Sequence, residues 1–506
     1  MQEAAPRSTT GTVATAYLAM AATYVTLSSF EFVLVDMQLT LGFSTDSANA
    51  LTLVPAAASL LTVFVAGSLA DRYGPRRLLL VAAVLFVLGA ILVGLATSVT
   101  WVVVGRALDG IGGVTMGIVG LSVINSTVTE PAKRARAFGV YAAITPAVFI
   151  LAPVLTASIV ESAGWRAGTI PWVLVGLATL ATTWRFVPTQ APGHSGELLT
   201  PLLAGVALAG LALGITSLSS NPAFSLVAAA TAVVGLVALV IAMRTIASPT
   251  LRVGWCRGRG LPILMVAMAV TSMPNLFFYT NLLLQYRFTV SLVVVALLLI
   301  VPQVFAVIGG LASGPLSARF GVERTAAVAL AVSALTCLGT FFVSGDSPIW
   351  VPVLALSLIA APVALVVGPI TNAFLSRAPA EASGSAVSIR KAAWTLGGVT
   401  GAAITGALTF STFQQRLSDI FQSDGASISQ ASLLAQQIRD GAVVDQLATQ
   451  LSDPMLRDAI INKGPALVEA QAYAYHVLGI LSAGIYAVAA VLMVIYIRRI
   501  RGLRQP

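Results

Sequence analysis

GSLADRYGPRR (67–77) and GPLSARFGVER (314–324) are two related copies of one short sequence within this chain. Identical residues recur at a constant offset, among them Gly67 and Gly314, Leu69 and Leu316, Arg72 and Arg319, and Gly74 and Gly321. Each copy ends one long apolar run, so the pattern indicates an internal repeat and two related halves. The halves are not electrically equivalent, because the second copy has Ala318 where the first has Asp71.

The composition of the chain is that of a membrane protein. Of its 506 residues, 57% are hydrophobic and only 9% are charged, and the mean hydropathy is +0.92. A soluble chain carries about a quarter charged residues. The net charge of +9 comes from basic residues in loops between apolar runs, which indicates membrane orientation rather than nucleic-acid binding. Cys256 and Cys337 have no spacing typical of a disulfide or a metal site.

Long apolar runs predict an all-α integral membrane protein. A helix needs about 20 apolar residues to cross the hydrocarbon layer, and barrel strands would be about ten residues of alternating polarity. The runs predict fourteen transmembrane helices, at 14–41, 48–70, 76–97, 99–122, 136–160, 167–187, 198–218, 223–243, 261–285, 289–313, 323–343, 349–374, 385–412 and 472–497. We number these predicted spans 1 to 14.

Lysine and arginine residues predict the orientation of the spans. They cluster after spans 2, 4 and 8 and in the C-terminal tail, as Arg72, Arg76, Arg77, Lys133, Arg134, Arg136, Arg252, Arg257, Arg259, Arg498, Arg499, Arg501 and Arg504. This pattern predicts a multi-pass protein of the plasma (or inner) membrane with both termini in the cytoplasm. An even number of spans is consistent with that arrangement.

GSLADRYGPRR resembles the signature loop of the Major Facilitator Superfamily, G-x-L-a-D-r-x-G-r-r. The matching residues are Gly67, Leu69, Ala70, Asp71, Arg72, Gly74, Arg76 and Arg77. GRALDGIGG (105–113) resembles the family motif of helix 4 through Arg106, Gly110 and Gly112, and EPAKRARAFG (130–139) and GWR (164–166) resemble its loops before helices 5 and 6. Fourteen spans resemble the drug:proton antiporter branch, which has two helices added between the halves.

The resemblance implies a domain organisation of two six-helix bundles, a pseudo-repeat, plus two inserted helices. We expect a cytoplasmic tail over 1–13, an N-terminal bundle over 14–187, the inserted pair and its linker over 188–259, a C-terminal bundle over 260–497 and a basic tail over 498–506. The polar segment 413–470 is a long outer loop between spans 13 and 14. Helical spacing of apolar residues at 432–451 predicts amphipathic helices there, as a solvated cap or as a gating or partner-binding element.

Two motifs depart from the antiporter pattern. The motif of span 5, which in the antiporters reads like G-P-x-x-G-G, is APVLTA (152–157) here, and the loss of glycines is expected to loosen helix packing. The motif of span 1 resembles D-x-T-i-v-N, and here Glu31 replaces the aspartate, Val33 the threonine and Asp36 the asparagine.

Four charges within spans 1 and 4 are candidates for proton coupling, because ionisable groups are costly within a membrane. Counting residues places Glu31 and Asp109 roughly 15 Å, Arg106 roughly 10 Å and Asp36 roughly 7 Å below the outer surface. The resemblance implies that both spans line the central cavity. We therefore expect three carboxylates to compete for Arg106, leaving Glu31 buried, uncompensated and able to take up a proton. Structural roles for Glu31 and the Arg106–Asp109 pair, and a solvated helix end for Asp36, remain alternatives.

Further candidates concern the substrate cavity and the conformational switch. In SMPNLFFYTN (272–281), Phe277, Phe278 and Tyr279 are either an aromatic cavity wall or ordinary packing. Arg390 and Lys391, near the start of span 13, either extend to the inner membrane surface or bind an anionic headgroup or ligand. The signature loop, Gly67, Asp71, Arg72, Gly74, Arg76 and Arg77, is implied by the resemblance to hold one conformation through a cytoplasmic charge network.

Together these features predict a secondary active transporter that works by alternating access. We expect a proton-coupled exporter of amphipathic or apolar small molecules, of the multidrug efflux type, acting as a monomer among membrane lipids. The proton gradient supplies the driving force, and we expect no cofactor, no metal, no nucleic-acid partner and no enzymatic activity. Export of lipids or lipid-linked metabolites is an alternative, as is a non-transporting membrane sensor or scaffold.

Overall fold

The computed structural model describes residues 9–43, 45–189, 197–218, 222–246, 249–250, 260–288, 292–344, 346–379, 382–423, 427, 430, 432–434, 436 and 464–502. Their regular structure is helical throughout, as predicted. The helices are α1 Thr9–Ser29, α2 Glu31–Leu41, α3 Thr45–Tyr73, α4 Pro75–Gly94, α5 Val99–Thr127, α6 Pro131–Ala167, α7 Ile170–Phe186, α8 Leu199–Thr216, α9 Pro222–Thr245, α10 Leu261–Thr271, α11 Leu276–Phe288, α12 Leu292–Leu298, α13 Ile300–Phe320, α14 Val322–Cys337, α15 Trp350–Leu375, α16 Ser383–Ser423 and α17 Gly464–Gly502, with a 3₁₀ turn at Leu338–Phe342.

Twelve helical segments in the described part are long and apolar enough to cross a membrane. The number becomes thirteen when α1 and α2, which meet at an angle of 44°, are taken as one bent span. Helix α7, on predicted span 6, has only 17 residues and falls short of that length. The chain is therefore an all-α multi-pass membrane protein. Among the described residues, fewer than the fourteen predicted spans have the length and apolarity needed to cross a membrane.

The helices pack as two groups joined by a pair. In the first group, from Thr9 to Phe186, α5 lies against α1, α3 and α4, and α1 also contacts α6 and α7. In the second, from Leu261 to Gly502, α14 and α16 pack against α17, and α13 and α14 pack against α15. The groups meet where α6 lies against α13 and α15, and where α3 and α5 lie against α16.

Helices α8 and α9 form a hairpin between the two groups, and α8 touches both α3 and α16. The Glu197 carboxylate joins the ends of this hairpin, accepting hydrogen bonds from the backbone N–H of Thr200 (2.8 Å) and of Thr250 (3.1 Å). Partial burial acts to raise the pKa of Glu197, but these hydrogen bonds outweigh it and hold the pKa below its ordinary value.

The first span of each group is interrupted near its middle. Helices α1 and α2 meet at Phe30, and α10 and α11 are separated by the non-helical residues 272–275. Pro274 lies in the second break, where its missing N–H and rigid ring are incompatible with a continuing helix. Breaks at corresponding positions of two halves mark the substrate site in several transporter folds.

The two copies of the repeated loop have the same backbone conformation. Gly74, between α3 and α4, has φ 81° and ψ 153°, and Gly321, between α13 and α14, has φ 89° and ψ 146°. A positive φ favours glycine, because a Cβ would approach the backbone too closely. Helix α4 then starts at once with Pro75, whose fixed φ suits a first helical position. The internal repeat is thus present in the backbone structure as well as in the amino-acid sequence.

Replacing Gly74 by alanine is expected to destabilise the protein by about 1–3 kcal/mol, because its φ of 81° and ψ of 153° lie in a region that is essentially restricted to glycine. Gly339 is the matched control, because a Cβ there meets open space and its φ is not positive. Thermal unfolding in nanodiscs should show a lower midpoint for Gly74→Ala only. Equal midpoints for the two variants would argue against a requirement for glycine at this turn.

Part of the predicted outer loop is helical. Helix α16 continues to Ser423, beyond the predicted end of span 13, and α17 begins at Gly464. Arg416 and Glu469 join these two extensions through an exposed ion pair of 2.6 Å, a type of contact that adds little stability. The amphipathic helices predicted at 432–451 lie almost wholly outside the described residues.

Candidate functional site

One end of the molecule is held shut by Asp71, at the end of α3, which binds the start of α16 in the other bundle. Its carboxylate accepts hydrogen bonds from the backbone N–H groups of Gly384 (2.7 Å) and Ser385 (2.9 Å) and from the Ser385 hydroxyl (2.7 Å). The first N–H groups of a helix lack intrahelical partners and carry a partial positive charge, so they suit a carboxylate. Asp71 therefore caps a helix across the boundary between the bundles.

A second set of polar contacts joins the bundles at the same end. Asn125 of α5 donates to the Ser383 hydroxyl (2.9 Å), and Arg134 of α6 donates to the Asn372 side chain of α15 (2.9 Å). Arg134 also donates to the side-chain oxygen of Asn125, which links the two contacts. We call the end formed by Asp71, Asn125, Arg134 and Ser383 the closed end.

Close backbone packing accompanies these hydrogen bonds. A Cβ added to Gly67 of α3 would collide with the Gly384 backbone and the Ser388 side chain of α16. The Ser388 hydroxyl donates to the Val63 carbonyl at 2.6 Å. Glycine at position 67 thus allows the two helices to touch directly, a device that membrane proteins use to bring helices together.

Unlike Asp71 and Gly67, Arg76 of the signature loop binds residues of its own bundle. Arg76 donates to the Thr189 hydroxyl (2.7 Å) and to the Trp184 carbonyl (2.8 Å) at the end of α7. The Arg72 guanidinium lies 4.9 Å from the Tyr73 ring, and Arg77 is exposed. The structure therefore places Asp71 against backbone N–H groups of the opposite bundle, where the sequence indicated a network of charged side chains.

Arg106 and Asp109 form a fully buried ion pair on α5. A guanidinium nitrogen of Arg106 lies 2.7 Å from a carboxylate oxygen of Asp109, a pairing that their spacing of three residues predicts. Both side chains are almost inaccessible to solvent. The Phe30 ring covers the guanidinium, with 3.9 Å between the guanidinium carbon and the ring centroid. In the described part of the chain, the Arg106 Nε and one Asp109 oxygen have no hydrogen-bond partner. The two charges thus balance each other, but part of the hydrogen-bonding capacity of the pair is not used by the described groups.

The expected burial of Glu31 beside Arg106 is wrong in this structure. Glu31 and Asp36 are both exposed side chains of α2. The inward face of this segment consists instead of Phe30, Val33 and Met37, each at most 2% exposed. Because the chain bends at Phe30, that ring and not the following carboxylate meets the guanidinium, and Asp109 alone pairs with Arg106 among the described carboxylates.

A cavity of about 440 Å³ lies between the two bundles. Residues of α6 and α13 that line it, Ala142 and Ala306, are close in sequence to the point where these helices touch at Ala143 and Gly310. Its lining is largely aliphatic, and its aromatic and polar residues include Tyr24, Tyr141, Phe277, Gln303, Trp394 and Tyr486. Such a mixture of apolar walls and a few polar groups is typical of small-molecule sites.

The structure places Arg390 and Lys391 in this cavity, where both side chains line its wall. Arg390 is only 6% exposed and Lys391 is half-buried. The alternative that they extend to the membrane surface does not apply here, because α3 and α5 cover the first turns of α16. Both residues also line a small second cavity beside α1 and α5, with room for a water molecule or two.

The three aromatic residues predicted for the cavity have different surroundings. Phe277 lines the cavity, next to the break that contains Pro274. Phe278 is 44% exposed on the outer surface of the bundle. Tyr279 is buried against Phe278 and Phe410, with ring centroids 5.2 Å and 6.1 Å away, and does not line the described cavity.

Several residues of the site were not identified from the sequence. Tyr24, Tyr141 and Trp394 line the cavity, and Asn125 and Arg134 close one end. The apolar surroundings of the aromatic residues resemble ordinary core sequence. One of them could have been found from helical spacing: Trp394 lies one turn after Arg390, so both side chains fall on the same face of the helix.

Two helical bundles around a central cavity, with breaks at equivalent positions and one end closed, define a polytopic membrane transporter rather than an enzyme. The sequence model described as Major Facilitator Superfamily matches residues 16–402. The chain belongs to this superfamily, which confirms the resemblance of its loop motifs.

Relatives of this chain are named as resistance and export proteins. The tetracenomycin C resistance and export protein of Streptomyces glaucescens is 28% identical, with 78% of this chain and 73% of the relative covered. The methyl viologen resistance protein SmvA of Salmonella typhimurium is 27% identical, with 83% and 84% covered. The crystal structure of the human organic anion transporter MFSD10 (TETRAN) has the same fold, with a TM-score of 0.57, 14% identity, and 96% of this chain and 99% of that chain covered.

Proposed function

We propose that this protein is a proton-coupled exporter of amphipathic or apolar small molecules that works by alternating access. The observation that carries this proposal is the cavity between the bundles, which is sealed at the closed end and bordered by apolar and aromatic groups. Rocking of the two bundles about such a cavity is the usual mechanism of transporters built from two repeats. The names of its relatives support export rather than uptake.

The basic residues near the closed end support its assignment to the cytoplasm. With that orientation, both termini are cytoplasmic, and the structure represents the outward-facing conformation in a plasma or inner membrane. Fourteen crossings require α7 to span as well. Its 17 residues measure about 26 Å, slightly less than a hydrocarbon core of about 30 Å, which local thinning can accommodate.

Proton coupling is assigned to the Arg106–Asp109 pair. Protonation of Asp109 would remove the charge that binds Arg106, and the freed guanidinium would need another partner. A proton that binds the two conformations with different affinity shifts the equilibrium between them. Glu31 and Asp36, both exposed beyond the bend at Phe30, are placed to receive protons from the outer side. The driving force is the proton gradient, and the protein acts as a monomer without a cofactor.

Export of lipids or lipid-linked metabolites is a second candidate. It is favoured by Arg390 and Lys391, which bring two positive charges into an otherwise apolar cavity. An acyl chain with an anionic headgroup has the complementary distribution of charge and apolar surface.

The proposal is tested with purified protein in liposomes that contain a pH-sensitive dye. Methyl viologen, tetracenomycin C and a set of amphipathic compounds with different charges are added in turn, with and without a proton gradient. We expect at least one compound to drive proton movement that a protonophore abolishes. Substrate flux that does not respond to the gradient would refute the coupling, and a lack of flux for every compound would refute the exporter assignment.

A further inference from the structure

We propose that the central cavity contains an anion-binding subsite formed by Arg390, Lys391, Tyr24 and Tyr141, and that the transported substrate is an amphipathic organic anion. The subsite would take a carboxylate, sulfonate or phosphate group, and the apolar part of the cavity would take the body of the molecule. This inference rests on the proposed function and adds the chemical class of the substrate to it.

Among the described residues, neither cation of the subsite has an ion-pair or hydrogen-bond partner. Arg390 is 6% exposed, and its Nε has no hydrogen-bond partner among the described groups. No ion pair or hydrogen bond joins either Arg390 or Lys391 to another described residue. Buried cations in membrane proteins are normally paired, because an isolated charge in a medium of low polarity is costly.

The surroundings of the subsite do not supply a compensating negative charge. Neither cavity has an aspartate or a glutamate among its described lining residues. Two carboxylates of the helices that pack on α16 have partners of their own, Asp71 at the start of α16 and Asp109 at Arg106. The two cations give the described lining a formal charge of +2, which disfavours cationic substrates and favours anionic ones.

Hydroxyl donors from the other bundle complete the subsite. Tyr24 of α1 and Tyr141 of α6 line both cavities together with Arg390 and Lys391, so these four side chains form the boundary between the two spaces. The Arg390 guanidinium lies 5.6 Å from the centre of the Tyr141 ring. An anion at this boundary would meet donors from both bundles at once, which couples its binding to their relative position.

The larger cavity provides the apolar half of the site. Beyond the cations it is lined by Phe277, Trp394 and aliphatic residues such as Leu356, Ile359 and Val363. Its volume of about 440 Å³ is within the range of small-molecule sites, about 300–1,000 Å³. The site therefore suits a molecule with one charged end and a bulky apolar body.

Binding of a matched pair of fluorescent probes tests this inference in the full-length protein in nanodiscs. Anilinonaphthalene sulfonate carries an anionic group, and N-phenylnaphthylamine has the same aromatic body without it. We expect the sulfonate to bind roughly 10- to 100-fold more tightly, as expected for charge-assisted hydrogen bonds. Inorganic phosphate should compete only at far higher concentration, because it lacks the apolar body. Equal affinity for the two probes, or equally effective competition by phosphate, would overturn the inference.

Substitutions locate the site. Arg390→Gln and Lys391→Gln should each weaken binding of the sulfonate by roughly tenfold or more and leave binding of the neutral probe unchanged. Arg390→Lys should retain much of the preference for the anion. Lys133→Gln removes an exposed cation of α6 whose partner is Glu130, and should change neither affinity. Equal weakening by Arg390→Gln and Lys133→Gln would show that the probe responds to overall charge and not to this site.

Failure of this inference can be distinguished from failure of the proposed function. Proton movement driven by neutral or cationic compounds, together with no preference for the sulfonate, would support the exporter assignment and refute the anion subsite. Selective binding of the sulfonate at Arg390 without any proton-dependent flux would support the anion subsite and refute proton-coupled export.

Discussion

Asp109→Asn is expected to abolish proton-dependent transport and to lower the free energy of unfolding by about 3–5 kcal/mol. The substitution leaves the fully buried Arg106 without its counter-ion beneath the Phe30 ring. Removing one partner of a buried pair is costly because the remaining charge is neither solvated nor paired. Unfolding midpoints in nanodiscs and proton movement in liposomes measure the two effects separately.

The double variant Arg106→Gln with Asp109→Asn separates the structural role of the pair from its role in coupling. It removes both charges and keeps groups of similar size, so much of the lost stability should return. Proton-dependent transport should not return, since no titratable group remains at the site. A stable double variant that still moves protons with its substrate would exclude Asp109 as the proton carrier.

Asp71→Ala is expected to shift the conformational equilibrium away from the closed end by about 100-fold. The variant loses three hydrogen bonds to the start of α16, and bonds to a charged group contribute about 1.5–3 kcal/mol each, part of which water replaces. Spin labels at the exposed positions Arg77 and Arg324, which are equivalent in the two repeated loops, would report the separation of the bundles. Longer distances should dominate in Asp71→Ala.

Lys133→Ala is the control for that measurement. Lys133 is an exposed charged residue at the start of α6, and its ion pair is with Glu130 of its own bundle. Its substitution should leave the distance distribution unchanged. An unchanged distribution in Asp71→Ala as well would mean that backbone packing of Gly67 against Gly384, and not the cap, holds this end closed.

The sequence predicted the fold well because the determining signals are local. Apolar runs predict helices independently of their neighbours, and each of the fourteen predicted spans coincides with a helix or a broken helix. The repeated loop identified the two halves, and Gly74 and Gly321 recur because both turns need a positive φ. The short length of α7 was harder to predict, because the ends of helices are the least certain part of a prediction from sequence.

The error for Glu31, and the two open alternatives for Arg390 and Lys391, both come from counting along straight helices. The predicted depth of Glu31 assumed a continuous span 1, but the chain bends at Phe30, and Glu31 lies on the exposed face of α2 while Val33 and Met37 lie on its buried face. Arg390 and Lys391 lie about two turns from the start of α16, which on its own suggests a position near the surface. Their burial depends on α3 and α5 covering that start, and this contact is not visible in the sequence.

Contacts between distant segments were the least predictable. Arg134 and Asn372 meet across the bundles although 238 positions separate them in the chain. The motif around Asp71 indicated a functional loop, but nothing in its sequence identified the N–H groups of Gly384 and Ser385 as its partners. Only packing of the two halves brings these groups together.

The unpaired charges of Arg390 and Lys391 have an electrical consequence. In the alternating-access cycle proposed above, the cavity would carry these charges through part of the transmembrane voltage. The work is about 2.3 kcal/mol per elementary charge for every 100 mV crossed. A bound anion neutralises part of the charge, so the loaded protein reorients with little electrical work. The substrate-free protein would return with both charges uncompensated, so we expect the voltage to act mainly on the rate of that step.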